Sequence, residues 1–184
     1  MAKKAQSTLP NMVVSLTAIA LVAAAILAAL NAITKEPIEQ AKTAKIKDAV
    51  GAVLPAFKNV EDRIVEGYTC HVATDSEGRV VGTAVEAGSD KGFGGHLQLM
   101  VGFDAEGKVC GYQVIETHET PGLGAKADQW FQKGGKGDII GRSGELKVKK
   151  DGGDVDAISG STITSRAFLG IVNEAAAIAA QCNQ

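Results

Sequence analysis

The N-terminal part of the chain contains a long apolar run without charge. Residues 5–34 carry no charged side chain, and residues 12–33 are mostly Val, Ile, Leu and Ala. A helix needs about 20 such residues to cross the hydrocarbon core of a bilayer. The apolar region of a cleaved signal peptide is usually only ~7–15 residues long, so that alternative fits less well. We predict a transmembrane helix over 12–34, after a short segment 1–11.

Charged residues return after the apolar run, and the apolar positions then recur at helical spacing. Pro37 suits the first turn of a helix. Helical spacing continues until Pro55 through Ile38, Ala41, Ile46, Ala49, Val50 and Val53. We predict a linker helix within 35–57 and a folded domain over 58–184.

The domain begins with two similar patterns of strand-like runs around an Asp-x-Glu-Gly tetrad, at 75–78 and 104–107. This tetrad suits a type I turn that ends in a glycine with positive φ. The pattern predicts two β-hairpins separated by a flexible glycine-rich loop. The predicted strands are 63–74 with 79–87 and 96–103 with 108–117, and the loop is 88–95.

The C-terminal third has fewer regular patterns. It predicts a short helix over 127–132, a strand over 145–150 after a glycine-rich connector, and an apolar helix over 167–180. An antiparallel sheet with helices packed against it is the simplest assembly of these elements. The predicted fold class is α+β, with an N-terminal transmembrane helix.

Composition and charge exclude several functions. The net charge of −2 and the pI of about 5.9 give no electrostatic basis for nucleic-acid binding. An iron–sulfur cluster needs about four closely spaced thiolates, whereas this chain has only Cys70, Cys110 and Cys182. A Cys70–Cys110 disulfide and buried free thiols are the alternatives for them. The histidines His71, His96 and His118 are scattered, so no metal site is predicted.

One candidate site lies where a hydroxyl-rich loop, 156–165, runs into the apolar C-terminal helix. The start of a helix leaves about four backbone N–H groups without partners and carries a partial positive charge, so phosphate groups bind there. Gly160 permits close backbone approach, and Ser159, Ser161 and Thr162 supply hydroxyl oxygens. Ordinary helix capping is the alternative explanation for these residues.

A second candidate segment is His118-Glu119-Thr120-Pro121-Gly122-Leu123-Gly124, which follows a predicted strand and precedes Lys126. Its Pro-Gly pair predicts a turn, and its two glycines permit close backbone approach. No acid–base pair or nucleophile–base pair is evident in the sequence. The pattern favours an electron carrier over an enzyme that transforms a substrate.

With both loops in this order behind a membrane helix, the chain resembles the flavin-carrying G subunit of the Rnf membrane electron-transport complex over nearly its whole length. In that family the loop Asp-x-x-Ser-Gly-small-Thr carries FMN, linked through its phosphate to the threonine hydroxyl. The corresponding residue here is Thr162. The family usually has Ala before this threonine, whereas Ser161 stands here and offers a rival hydroxyl.

The resemblance and the loop chemistry together predict an FMN site without catalytic residues. We expect backbone N–H groups of 122–125 to face the flavin and Leu123 to pack on its ring. For His118 and Lys126, an ordinary loop residue and a solvated lysine are the alternatives. The predicted cofactor-binding residues are Ser159, Gly160, Ser161, Thr162, Thr164, Ser165, His118, Glu119, Thr120, Pro121, Gly122, Leu123, Gly124 and Lys126.

The resemblance also implies a function and a location. It implies an electron-carrying subunit of an ion-translocating ferredoxin:NAD⁺ oxidoreductase. Its partners would be the other membrane subunits and a flavin transferase that attaches the FMN. It implies a single-pass inner-membrane protein with a cytoplasmic N-terminus, residues 1–11, and with the domain on the periplasmic or extracellular side. The lysine pattern by itself does not decide the orientation. The alternatives are the C subunit of the sodium-translocating NADH:quinone reductase, which is typically longer, and a membrane-anchored assembly module without flavin.

Overall fold

The computed structural model of the chain describes residues 8–183. The predicted N-terminal segment 1–11 therefore falls largely outside the described residues. The chain divides into two compact units at residues 44 and 45, and each is described here by itself.

The first unit is helical. The helix α1 spans Leu9–Val53, and all its residues up to 45 are exposed, including every large apolar side chain. Its most apolar 18-residue window has a mean hydropathy of 2.7. The helix is long and apolar enough to cross a bilayer. Pro37 lies inside this helix and does not begin a second one. The prediction of two helices is wrong here. Good helix formers lie on both sides of Pro37, so the helix continues although Pro37 has no backbone N–H to donate.

The second unit is built on five antiparallel strands in sequence order. The strands are β1 Asn59–Val65, β2 Tyr68–Thr74, β3 Val80–Gly92, β4 Gly95–Asp104 and β5 Val109–Thr117. Both predicted Asp-x-Glu-Gly turns are present. Gly78 and Gly107 each have a φ of 78°, and the carboxylates of Asp75 and Asp104 each accept two backbone N–H groups of their turn.

Three predicted segments differ from the structure. The predicted strand 63–74 is divided between β1 and β2 by a turn at Glu66 and Gly67, both of which have positive φ. The predicted loop 88–95 is mostly strand, because backbone pairing of β3 with β4 continues to Gly92 opposite Gly95 and overrides weak strand propensity. The predicted strand 145–150 makes only an isolated bridge, Val148 to Val155.

Two helices complete the second unit, α2 at Ala127–Trp130 and α3 at Thr162–Cys182. The long α3 packs on one face of the sheet, and residues 46–54 cover the other face. Although α3 is long and apolar enough to span a membrane, 56% of its apolar window is buried, as in the core helix of a folded domain. The predicted α+β fold is confirmed, and α3 begins earlier than the predicted residue 167.

A disulfide joins the C-terminal helix to the sheet. Cys70 in β2 is bonded to Cys182 at the end of α3, with their Cα atoms 6.8 Å apart. A Cys70–Cys110 disulfide and free thiols, the two alternatives from the sequence, are therefore wrong for Cys70 and Cys182. The two residues are 112 positions apart, and they meet only because α3 ends over β2. Cys110 is the free thiol, and burial raises its pKa. A cross-link that closes so long a loop contributes about 2–5 kcal/mol.

Close backbone packing fixes the end of α1 on the sheet. Gly102 in β4 pairs with Gly111 in β5, and both face Val53. A Cβ atom at Gly102 would lie 2.7 Å from the carbonyl carbon of Val53. The sheet therefore requires glycine at this point.

We expect Gly102→Ala to lower the free energy of unfolding by about 1–3 kcal/mol, because the added methyl group overpacks this contact. Gly51→Ala is the matched control, since nothing lies within 4 Å of a Cβ there. It should be neutral or stabilising by up to ~1 kcal/mol. Urea unfolding of the full chain in detergent measures both, and equal stabilities would contradict the packing argument.

Candidate functional site

Two loops face each other across a cavity of about 400 Å³. We call residues 118–124 the glycine loop and residues 156–161 the serine loop. The glycine loop contributes Glu119, Thr120, Leu123 and Gly124 to the lining, and the serine loop contributes Gly160 and Ser161. Thr162 and Ile163, in the first turn of α3, complete this side. The volume lies within the ~300–1,000 Å³ typical of small-molecule sites.

The start of α3 has the properties of an anion site. Ser161 is the N-cap residue, and no side chain makes a capping hydrogen bond there within the described chain. The positive end of the helix dipole therefore faces the cavity, and no side-chain cap occupies it among the described residues. Thr162 is half-buried and lines both the cavity and a second recess of about 310 Å³, on whose wall Ser159 lies.

The serine loop is held in place by side chains that come from outside it. The Trp130 indole N–H donates to the carbonyl of Asp156 over 2.8 Å. The buried Ser165 hydroxyl accepts from the N–H of Ile158 over 2.9 Å and donates to the carbonyl of Ser161 over 2.9 Å. These bonds fix the backbone that presents Thr162.

Two ion pairs hold the residues at the entry to the serine loop. Arg166 in α3 binds both carboxylate oxygens of Asp151 at 2.7 Å, which lowers the pKa of Asp151. Lys149 Nζ lies 2.7 Å from Asp156 Oδ2. All four side chains are substantially exposed, so the two pairs contribute little to stability, and their effect is to restrict the loop.

The glycine loop is folded by its own backbone. The Thr120 carbonyl accepts from the N–H groups of Leu123 and Ala125, and the His118 N–H donates to the carbonyl of His96. The expectation that N–H groups of 122–125 face the flavin is therefore wrong for Leu123 and Ala125, since both N–H groups donate to the Thr120 carbonyl.

A buried tyrosine holds the segment that follows this loop. Tyr112 donates from its hydroxyl to the carbonyl of Ala127 over 2.7 Å and accepts from the N–H of Phe131 over 3.2 Å. Burial raises the pKa of the Tyr112 phenol, so it stays protonated and able to donate at neutral pH. Its ring packs edge-on against Phe168 of α3. The end of the glycine loop is thus fastened to the same helix that begins at Thr162.

Two buried polar groups meet where the loops touch. Glu119 is only 7% exposed and Thr164 is fully buried, yet neither Glu119 Oε1 nor Thr164 Oγ1 has a hydrogen-bond partner in the described chain. Gly124 separates them, and a Cβ atom there would lie 2.9 Å from Thr164 Oγ1 and even closer to the Glu119 carboxylate. Unpartnered buried polar groups are rare, so these two are candidates for hydrogen bonds to a ligand.

Several predicted site residues do not reach the cavity. His118 is exposed, with Nε2 at 3.5 Å from Glu116 Oε1. Lys126 lies in a 3₁₀ turn, Gly124–Lys126, while Pro121 and Gly122 are exposed at the tip of the loop. Ser165 is buried and holds the serine loop from within α3. None of these five residues lines the cavity.

Three cavity residues were not predicted from the sequence. Phe93 comes from the β3–β4 turn, Lys150 from the segment before the serine loop, and Ile163 from α3. Phe93 and Ile163 are 71% and 50% exposed, so part of their apolar surface remains open to a ligand. The only sequence signals were an aromatic residue among glycines at 92–95 and a lysine pair at 149–150. The position of Phe93 follows from β3–β4 pairing that the sequence did not reveal.

The cavity fits a phosphate-bearing, partly apolar cofactor such as FMN. The uncapped start of α3 and Lys150 suit the phosphate. The unpartnered oxygen of Glu119, a residue that lines the cavity, suits a hydroxyl group of a polyhydroxylated chain or the N–H edge of a ring. Phe93, Leu123 and Ile163 offer apolar contact to a planar ring. The fold and the cavity are therefore those expected of a protein that holds a phosphate-bearing cofactor.

Comparisons with known proteins specify that cofactor and the family. Residues 92–177 match the family model described as an FMN-binding domain. The G subunit of the ion-translocating oxidoreductase complex of Yersinia pestis is 34% identical over 169 residues, which cover 81% of this chain and 79% of that protein. The Escherichia coli G subunit is 35% identical, with 80% of each chain covered. A third relative, from Acetobacterium woodii, is 34% identical over 84% of each chain and is named as the G subunit of a Na⁺-translocating ferredoxin:NAD⁺ oxidoreductase complex.

The chain belongs to the family of G subunits of ion-translocating oxidoreductase complexes. It binds FMN and is an electron-transfer subunit of such a complex. The assembly module without flavin, which the sequence left open, is thereby set aside. The predicted family and the predicted cofactor are confirmed.

The two glycines of the glycine loop should respond differently to substitution. Gly124→Ala places a methyl group against the Glu119 carboxylate and Thr164, so we expect it to displace the loop and change the flavin absorbance spectrum. Gly122 has a φ of 80° and open space around a Cβ, so Gly122→Ala should cost only about 1 kcal/mol of backbone strain. Absorbance and thermal unfolding of both purified variants test this. A normal spectrum in a folded Gly124→Ala protein would refute the close-approach role.

Proposed function

We propose that this chain transfers electrons through an FMN attached by a phosphoester to Thr162, within an ion-translocating ferredoxin:NAD⁺ oxidoreductase complex. The observation that carries the proposal is the position of Thr162, half-buried at the uncapped start of α3, between the cavity and an outer recess. A hydroxyl there is open to a separate flavin transferase. The phosphate of the attached FMN would lie at the positive end of the helix. The reaction follows the name of the Acetobacterium woodii relative.

Specific residues would hold each part of the cofactor. The first-turn N–H groups of α3, Lys150 and Ser159 would bind the phosphate, and Gly160 lets the backbone approach it. Leu123, with Phe93 and Ile163, would shield the ring from water. When bound, the flavin supplies the electron-transfer chemistry, and the protein contributes orientation and electrostatics.

Thr162→Ala should abolish the covalent flavin. Intact-mass spectrometry of the wild-type chain should show one FMN-sized addition that is absent from the variant and from protein made in a host without flavin transferase. Ser161→Ala is the matched control, because Ser161 is only 6% exposed and is less accessible to a transferase. A Thr162→Ala chain that keeps its covalent flavin would place the attachment elsewhere.

We also propose the topology implied by the family. Residues 12–34 would anchor the chain once, 35–57 would link the anchor to the domain, and the domain 58–184 would lie on the periplasmic or extracellular side. The Cys70–Cys182 disulfide supports this side, because disulfides persist in oxidising compartments and are rare in the cytosol. The other membrane subunits would then be its electron-transfer partners.

A periplasmic reporter fused after residue 184 should be active, and a cytoplasmic one inactive. In cells, Cys70 and Cys182 should resist alkylation until a reductant is added, whereas Cys110 should react after denaturation alone. Cytoplasmic reporter activity together with reduced Cys70 and Cys182 would show that the domain lies in the cytoplasm and would contradict the proposed orientation. Full-length chain in a detergent-free soluble fraction would contradict the anchor.

A further inference from the structure

Glu119 is confined by glycines on several sides. A Cβ atom at Gly92 would lie 2.6 Å from Glu119 Oε1, and one at Gly94 would lie 2.8 Å from Glu119 Cα. Gly124 faces the same carboxylate from the glycine loop itself. Because a side chain at any of these positions would displace Glu119, the surrounding backbone holds its carboxylate in one place.

The carboxylate is held without a donor to Oε1. The Glu119 backbone N–H donates to Thr117 Oγ1 over 3.2 Å, whereas Oε1 is buried with no partner among the described residues. The neighbouring Thr164 hydroxyl is fully buried and equally unpartnered. A buried carboxylate oxygen without a donor is unfavourable for folding. An arrangement that is both tightly fixed and unfavourable indicates preparation for a ligand.

The chemistry of the missing partner follows from charge. A carboxylate accepts hydrogen bonds and repels a phosphate, which the start of α3 and Lys150 attract instead. A flavin mononucleotide carries hydroxyl donors on its ribityl chain and an N–H donor on its ring. These groups can satisfy the Glu119 carboxylate, which lines the cavity.

We infer that the bound flavin donates the missing hydrogen bond to the Glu119 carboxylate, so that Glu119 destabilises the flavin-free chain and stabilises the flavin-carrying one. This inference rests on the proposed function. It adds that the cofactor completes the folding of its own cavity, and that the negative charge of Glu119 lowers the flavin's reduction potential by disfavouring added electrons.

A thermodynamic cycle tests it on the full chain in detergent. Glu119→Gln is introduced into the wild-type chain, which carries flavin at Thr162, and into the Thr162→Ala chain, which carries none. We expect Glu119→Gln to raise the melting temperature of the flavin-free chain by about 2–6 °C and to lower that of the flavin-carrying chain. Thr164→Val should also raise the melting temperature of the flavin-free chain, since it removes the second unpartnered group. Glu106→Gln, in an exposed turn, should change neither.

Two outcomes overturn the inference. If Glu119→Gln lowers the melting temperature of the flavin-free chain, Glu119 has a partner within the protein. If the change has the same sign and size with and without flavin, the cofactor does not contact it. The reduction potential of flavin-carrying Glu119→Gln should be more positive than that of the wild type, and an unchanged potential also counts against the contact.

Intact mass and flavin absorbance are measured on every protein before unfolding. Flavin retained by Thr162→Ala refutes the attachment site and not the Glu119 contact. The flavin-free arm is then made in a host without flavin transferase, and the same signs are expected.

Discussion

The site depends on one close approach, between the glycine loop and the first turn of α3 at Gly124. Because no Cβ separates them, Glu119 and Thr164 come together beneath the cavity, and Thr162 lines the same cavity from the helix start. Any side chain at this point would push the glycine loop away from α3. The cavity is therefore a product of backbone packing, and the residues that line it are positioned by that packing.

Helix α3 serves the core and the site at once. Its apolar face, with Phe168 and Ile171, fills one side of the sheet, while its N-terminus presents uncapped N–H groups beside the cavity. The Cys70–Cys182 disulfide fastens its far end to β2. A helix held at both ends keeps its N-terminus in a fixed position, and electron transfer benefits from a cofactor whose environment does not reorganise.

The sheet contributes through its turns as well as its core. The β3–β4 hairpin extends beyond its expected length and carries Phe93 to the cavity, while Gly92 and Gly94 pack against the Glu119 segment. On the opposite face, Gly102 lets residues 46–54 pack closely on the strands. The same device, glycine where two backbones meet, thus joins the layers of the domain and closes its functional end.

The sequence alone predicted the local features, which are the uncharged apolar run, the Asp-x-Glu-Gly turns and the hydroxyl-rich loop before a helix. By resemblance it also predicted the family and its FMN. These features depend on neighbouring residues or on composition, so a single chain reveals them. The pairing of Cys70 with Cys182, the reach of Phe93 and Lys150, and the burial of Ser165 were decided only by the tertiary structure. Each depends on groups far apart in sequence that meet when α3 packs on the sheet, and no local pattern encodes that meeting.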